Sequence, residues 1–146
     1  MNDAGLNIGA CRCSDWLPDA SSLDEVWAWR LLDGLARADA LQMLADNPLT
    51  LVEALQYANG KCFIHYSGLL ADYLLSEDAK SNFAAAAGFL DLLISRKPDS
   101  SIKVGLNNVS FLEAAQMVSE RQPFYEADED IYGMFGDKYL KYVSSS

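Results

Sequence analysis

Residues 76–97 read SEDAKSNFAAAAGFLDLLISRK, and the reading of this stretch decides the fold. From Phe83 to Ile94 only Gly88 and Asp91 interrupt a run of Ala, Phe, Leu and Ile. On a helix of about 3.6 residues per turn no solvent face can then be drawn. Ser76 followed by Glu77 and Asp78 has the form of a capped, acidic first turn. Arg96 and Lys97 stand where the helix dipole favours cations, and Pro98 ends the pattern. The run is too short for a bilayer. It is predicted to be a buried central helix over about 76–97, and the chain an all-α bundle of six or seven helices wrapped around it.

The rest of the composition agrees with one soluble domain over residues 1–146. Half of the 146 residues are hydrophobic and 22% are charged, which is ordinary globular usage for a chain long enough to form its own core. Asp and Glu outnumber Lys and Arg by 21 to 11, a formal net charge of -10. Binding to nucleic acid or to an anionic membrane surface needs clustered cations, so both are excluded as expectations. The acidity favours solubility and a basic protein partner.

The three cysteines are Cys11, Cys13 and Cys62. Residues 1–15 carry Asp3 and lack the basic and long apolar regions of a signal peptide, so a reducing cytoplasmic setting is expected. Cys11 and Cys13 form a C-x-C half-site, but Cys62 and His65 do not complete it at a familiar zinc spacing. No metal and no cofactor are expected.

Taken in order, residues 1–21 read as an irregular lead-in, with Trp16 laid over the core. Ser22-Leu-Asp-Glu25 has the form of a capping box and opens a helix to about Ala36. Trp27 and Trp29 stand two positions apart, about 200° around that helix, so one of them faces something other than the core. Arg30 projects on the apolar side, its stem expected over the core edge with its head in water, and Asp33 three residues on is able to pair with it. A second helix is predicted over Arg37 to Asp46. A third is opened by the Thr50-Leu-Val-Glu53 box and stopped by a left-handed Gly60, and a fourth covers Lys61 to Leu75. Residues 98–108 read as non-helical, with a short extended segment near 101–106 that has no obvious partner strand. Ser110-Phe-Leu-Glu113 is a further capping box, starting a helix to about Arg121. A last amphipathic helix over Glu129 to Val143 gathers Ile131, Phe135, Tyr139 and Tyr142 on one side, and residues 144–146 are expected to be disordered. Residues 47–59 and 107–119 align without gaps; two capped helices sharing one start signal account for this, whereas a true repeat would give Leu51 and Phe111 equivalent packing.

The catalytic inventory is thin. His65 is the single histidine, with Cys62 three residues before it and Asp72 two helical turns after it. A core-edge histidine is the simpler reading than a nucleophilic pair. No phosphate-cradling glycine motif occurs. Asp128 to Gly133 begins like a calcium loop, but tyrosines stand where oxygen ligands are needed.

The segment from Phe124 to Asp137, FYEADEDIYGMFGD, contains no Lys or Arg. Its residues Phe124, Tyr125, Glu126, Asp128, Glu129, Asp130 and Tyr132 are the predicted partner-binding set. Carboxylates hasten encounter with a basic surface, and aromatic rings supply packed anchors. The sequence therefore points to a non-enzymatic acidic binding protein that neutralises or regulates a basic protein, as an immunity protein or toxin inhibitor does. The rival readings are a secretion-type chaperone or adaptor, which would dimerise or hold extended segments, and a small enzyme built on carboxylates. Oligomeric state is not legible.

Overall fold

A computed structural model describes residues 10–144, which divide into two compact units, one ending at Ser67 and one beginning at Gly68. The chain is all-α, with seven helices of ten residues or more among the described residues and a two-strand ladder as its only sheet. None of these helices is long and apolar enough to cross a membrane.

The first unit contains α1 (Leu23–Leu32), α2 (Arg37–Asp46), α3 (Pro48–Tyr57) and the first half of α4 (Gly60–Leu74). Helix α3 packs against both α1 and α2. Ala28, Leu32, Leu44, Leu51 and Leu55 make their shared core. Ser22 caps α1 by accepting from the Glu25 amide, as the sequence predicts, but the Glu25 carboxylate reaches the Asp19 amide instead of closing the box. Helix α1 ends at Leu32 rather than near Ala36, because the chain turns through Gly34 at φ 73°. Helix α2 has its predicted bounds. Helix α3 starts two residues before Thr50, with Pro48 in its first turn, where a missing N–H costs nothing. Gly60 has the expected positive φ of 58° and leads directly into α4.

The lead-in is more closely held than its composition implies. Trp16 is buried. Asp33 pairs with Arg12 at 3.1 Å and accepts from the Cys13 amide at 2.8 Å, so it is engaged from the lead-in and not by Arg30. The Tyr66 hydroxyl accepts from the Cys11 amide at 3.1 Å and donates to the Leu35 carbonyl at 2.7 Å. Asp15 accepts from the Lys61 amide at 2.9 Å, capping the start of α4. These anchors bring Cys13 beside Cys62, and the two form a disulfide with Cα atoms 5.0 Å apart. The sequence reading, which expected a reducing setting, paired none of the cysteines.

The second unit contains the rest of α4, a 3-10 turn (Glu77–Ala79), α5 (Phe83–Arg96), β1 (Lys103–Val104), β2 (Val109–Ser110), α6 (Phe111–Glu120), the single turn α7 (Glu129–Tyr132) and α8 (Phe135–Ser144). Helices α5, α6 and α8 pack on one another. Helix α5 is the predicted apolar rod, with Ala85, Ala86, Ala87, Phe89, Leu90, Leu92 and Leu93 buried. It begins seven residues later than the sequence implies, at Phe83 rather than Ser76. Ser76 opens only the 3-10 turn, Ser81 adopts φ 67°, and Asn82 caps α5 by accepting from the Ala85 amide. A narrow exposed line does exist on α5. It runs through Asp91 and Ser95, and Lys138 from α8 reaches Asp91 at 2.7 Å.

The extended segment has a partner after all. Strands β1 and β2 pair antiparallel, Lys103 opposite Ser110 and Val104 opposite Val109. Asp72, buried on α4, holds the connecting turn by accepting from the Leu106 amide at 2.6 Å and from the Asn107 amide and side chain. Its carboxylate thus serves the donors of this turn. Gly105, at φ 69°, leaves room for this carboxylate, because a Cβ there would lie against it. Gly105→Ala is expected to cost about 2 kcal/mol, from left-handed strain and displacement of the buried acceptor. Denaturant unfolding of the two proteins in parallel measures it, and an unchanged midpoint contradicts the account.

The Ser110 capping box forms in full, with each partner accepting from the other's backbone amide. The last predicted helix is broken into α7 and α8 at Gly133, where φ is 78°. Phe135 and Tyr142 face the core, while Ile131, expected beside them, is exposed. Leu51 and Phe111 are both fully buried. Even so, α3 starts before Thr50 and α6 after Ser110, so the aligned segments enter their helices at different points. Ser144 closes α8, and residues 145–146 of the predicted tail lie outside the described residues.

Candidate functional site: an acidic, partly apolar surface on the second unit

The predicted partner-binding segment leaves α6 at Arg121, runs through an irregular loop and returns as α7 and α8. Its conformation is set by a few buried polar contacts. Gln122 is buried, and its Nε2 donates to the carbonyls of Ala127 at 3.1 Å and Gly133 at 2.9 Å. Its Oε1 accepts from the Phe135 amide at 2.7 Å. One side chain therefore fixes both ends of the α7 turn. The Ser81 amide donates to the Phe124 carbonyl, and the Ser81 hydroxyl donates to Glu126, tying the loop to the start of α5. Asp128 caps α7 by accepting from the Asp130 amide at 2.8 Å.

These contacts sort the predicted residues. Tyr125 is fully buried, with its hydroxyl donating to the Leu74 carbonyl at 2.7 Å. Of the predicted set it is the residue that lies beneath the surface, where it supports the loop. Phe124 is half-buried beneath Arg121, whose guanidinium carbon lies 4.2 Å from the ring centroid. A cation thus stands against the aromatic base of a segment that itself has none. Glu126, Asp128, Glu129 and Asp130 are exposed, and Tyr132 is half-buried with its ring 5.3 Å from that of Phe83. The sequence reading missed the apolar members. Ile131 is 71% exposed, and Met134 and Phe83 are also open to solvent. Periodicity had assigned Ile131 to the core, since nothing local shows that Gly133 ends α7.

Burial raises the Tyr125 hydroxyl to about 12, with the nearby Arg121 charge partly opposing the rise. The unfolded chain releases this proton near pH 10, so folding is favoured fully below pH 10 and progressively less as pH rises toward 12. Stability is expected to fall by roughly 1 kcal/mol per pH unit in that window from this residue. Comparing the pH dependence of denaturant unfolding in wild type and Tyr125→Phe isolates it. The variant should show a shallower decline, and equal slopes would contradict the assignment.

Elsewhere the chemistry is sparse. Cys62 is committed to its disulfide and fully buried, so it cannot serve as a thiol beside His65. Cys11 is the free cysteine. Burial and then the Asp15 charge raise its thiol, which makes it a poor nucleophile. Among the described residues, no three or more of His, Cys, Asp and Glu are grouped to hold a metal ion.

No family model, curated protein or solved structure matches this chain. Its function is therefore argued from its own residues.

Proposed function

We propose that this chain is a non-enzymatic binding protein that engages a basic protein through the surface built by residues 126–134, with an immunity protein or inhibitor as its concrete form. The observation that carries the reading is a loop clamped by Gln122 that leaves Ile131, Met134 and four carboxylates exposed, with Tyr132 against the ring of Phe83. Exposed aliphatic, aromatic and acidic side chains in one short segment have the make-up of a contact surface. The rings and aliphatics supply packed area, and the carboxylates supply steering and register. The clamp lowers the ordering cost of binding. The net charge of -10 extends the same preference to long range. The Cys13–Cys62 bond, of a kind that oxidising compartments preserve, weighs against a cytoplasmic placement.

The test is a binding titration against the purified basic protein recovered with this chain by cross-linking, repeated over a salt series. Replacing Glu126, Asp128 and Asp130 together with Lys is expected to slow association by roughly tenfold or more at low salt. Ile131→Ala should speed dissociation instead. Unchanged rates in the triple variant would remove this surface from the interaction.

A further inference from the structure

The first unit carries a second feature, separate in its residues from the surface just described. Helix α1 presents Asp24 and Trp27 three positions apart, and α3 presents Glu53 and Tyr57 four positions apart. Such spacings place each acid and its ring on one helix face. Because α1 and α3 pack together, the two pairs meet and line a cavity of about 240 Å³. Trp27 is 40% exposed and Tyr57 36% exposed. The two tryptophans of α1 thus divide as their spacing requires. Trp29 is held inward by donating its indole N–H to the Cys13 carbonyl at 3.0 Å, while Trp27 lines the cavity.

We propose that this cavity binds an arginine side chain of a partner protein or peptide. Two rings and two carboxylates are the elements that recognise an organic cation. The indole face attracts the positive charge, and the acids accept its hydrogen bonds. The Asp24 charge is the largest of the influences that raise the Tyr57 hydroxyl above its ordinary value, as an acid and a ring facing the same space require. Among the described residues, neither Asp24 nor Glu53 forms a salt bridge with a Lys or Arg of this chain. The volume is smaller than the roughly 300–1,000 Å³ of drug-sized sites, as suits one side chain. A guanidinium fits this lining better than an ammonium, because its planar fork pairs with carboxylates while its face stacks on Trp27. A quaternary ammonium would leave both carboxylates without a donor.

The inference does not depend on the 126–134 surface and is tested without knowing any partner. The probe is an acetylated, amidated Gly-Arg-Gly peptide, titrated while the Trp27 indole N–H is followed by NMR, with that resonance assigned by its loss in Trp27→Phe. A saturable shift is expected, with affinity reduced at least about tenfold for the isosteric citrulline peptide, a difference of about 1.4 kcal/mol. The lysine peptide should also bind more weakly than the arginine peptide. Glu53→Gln, an exposed position in mid-helix, should weaken arginine binding by a similar factor while leaving the far-ultraviolet spectrum unchanged. Equal binding of the citrulline or lysine peptide, or no saturable shift, would overturn the proposal.

Discussion

Gln122→Ala is expected to lower the unfolding free energy of the second unit by about 3 kcal/mol, because it strips partners from several backbone groups at once. Phe135 loses the acceptor for its amide, and Ala127 and Gly133 lose the donor to their carbonyls. Phe135 and Ala127 are buried, so water does not replace what is lost without opening the loop. For a chain of this size the change amounts to a fall in melting temperature of roughly 6–12 °C. Gln122→Glu is the sharper comparison. It keeps the volume and an acceptor for the Phe135 amide, but an ionised carboxylate cannot donate and would face two carbonyl oxygens. It should destabilise at least as much as alanine. Amide exchange at Phe135 should accelerate in both variants, and binding through the 126–134 surface should weaken because α7 is no longer held. If Phe135 exchange is unchanged in Gln122→Ala, the clamp is wrong.

What the sequence revealed follows the range of the interactions involved. The Ser110 box is legible because cap and partner lie three residues apart and nothing distant competes. Helix α2 and the apolar rod of α5 are legible from periodicity alone. Where a distant contact intervenes, the local signal misleads. Ser76 has every mark of a helix start, yet the Phe124 carbonyl takes the Ser81 amide and the helix waits for Asn82. Asp33 is well spaced for Arg30, but Arg12 and the Cys13 amide reach it from the lead-in. The acids of the candidate surface were legible as a charge run. The exposure of Ile131 was not, because it depends on Gly133 ending α7 and on Gln122 holding that end. The burial of Tyr125 was hidden for a related reason, since its acceptor, the Leu74 carbonyl, lies 51 residues away. The Trp27 cavity was half visible, in that two tryptophans at that spacing cannot share a face. Its second pair, Glu53 and Tyr57, enters only through the packing of α3 on α1.

Reduction of the Cys13–Cys62 bond, or its removal by Cys13→Ser with Cys62→Ser, is expected to cost the first unit about 4 kcal/mol. The figure comes from the 49-residue separation of the two cysteines, since a longer closed loop removes more freedom from the unfolded chain. The loop encloses α1, α2 and α3, three ten-residue helices whose individual persistence in water would be marginal. The bond also fastens the lead-in, where the Cys13 amide serves Asp33 and its carbonyl serves the Trp29 indole. Its loss should therefore loosen Trp29 as well as the helices, and Trp fluorescence should report both. The covalent part is checked first. Under denaturing, non-reducing conditions the chain should take up one alkyl group, on Cys11, and after reduction it should take up three. Stability then follows from denaturant titration with and without reductant, in which wild type should shift and the double serine variant should not. Three alkyl groups without reductant would show that the bond does not form. A bond that forms, yet whose reduction leaves the transition unmoved, would show that hydrogen bonds and packing alone hold the lead-in against α4.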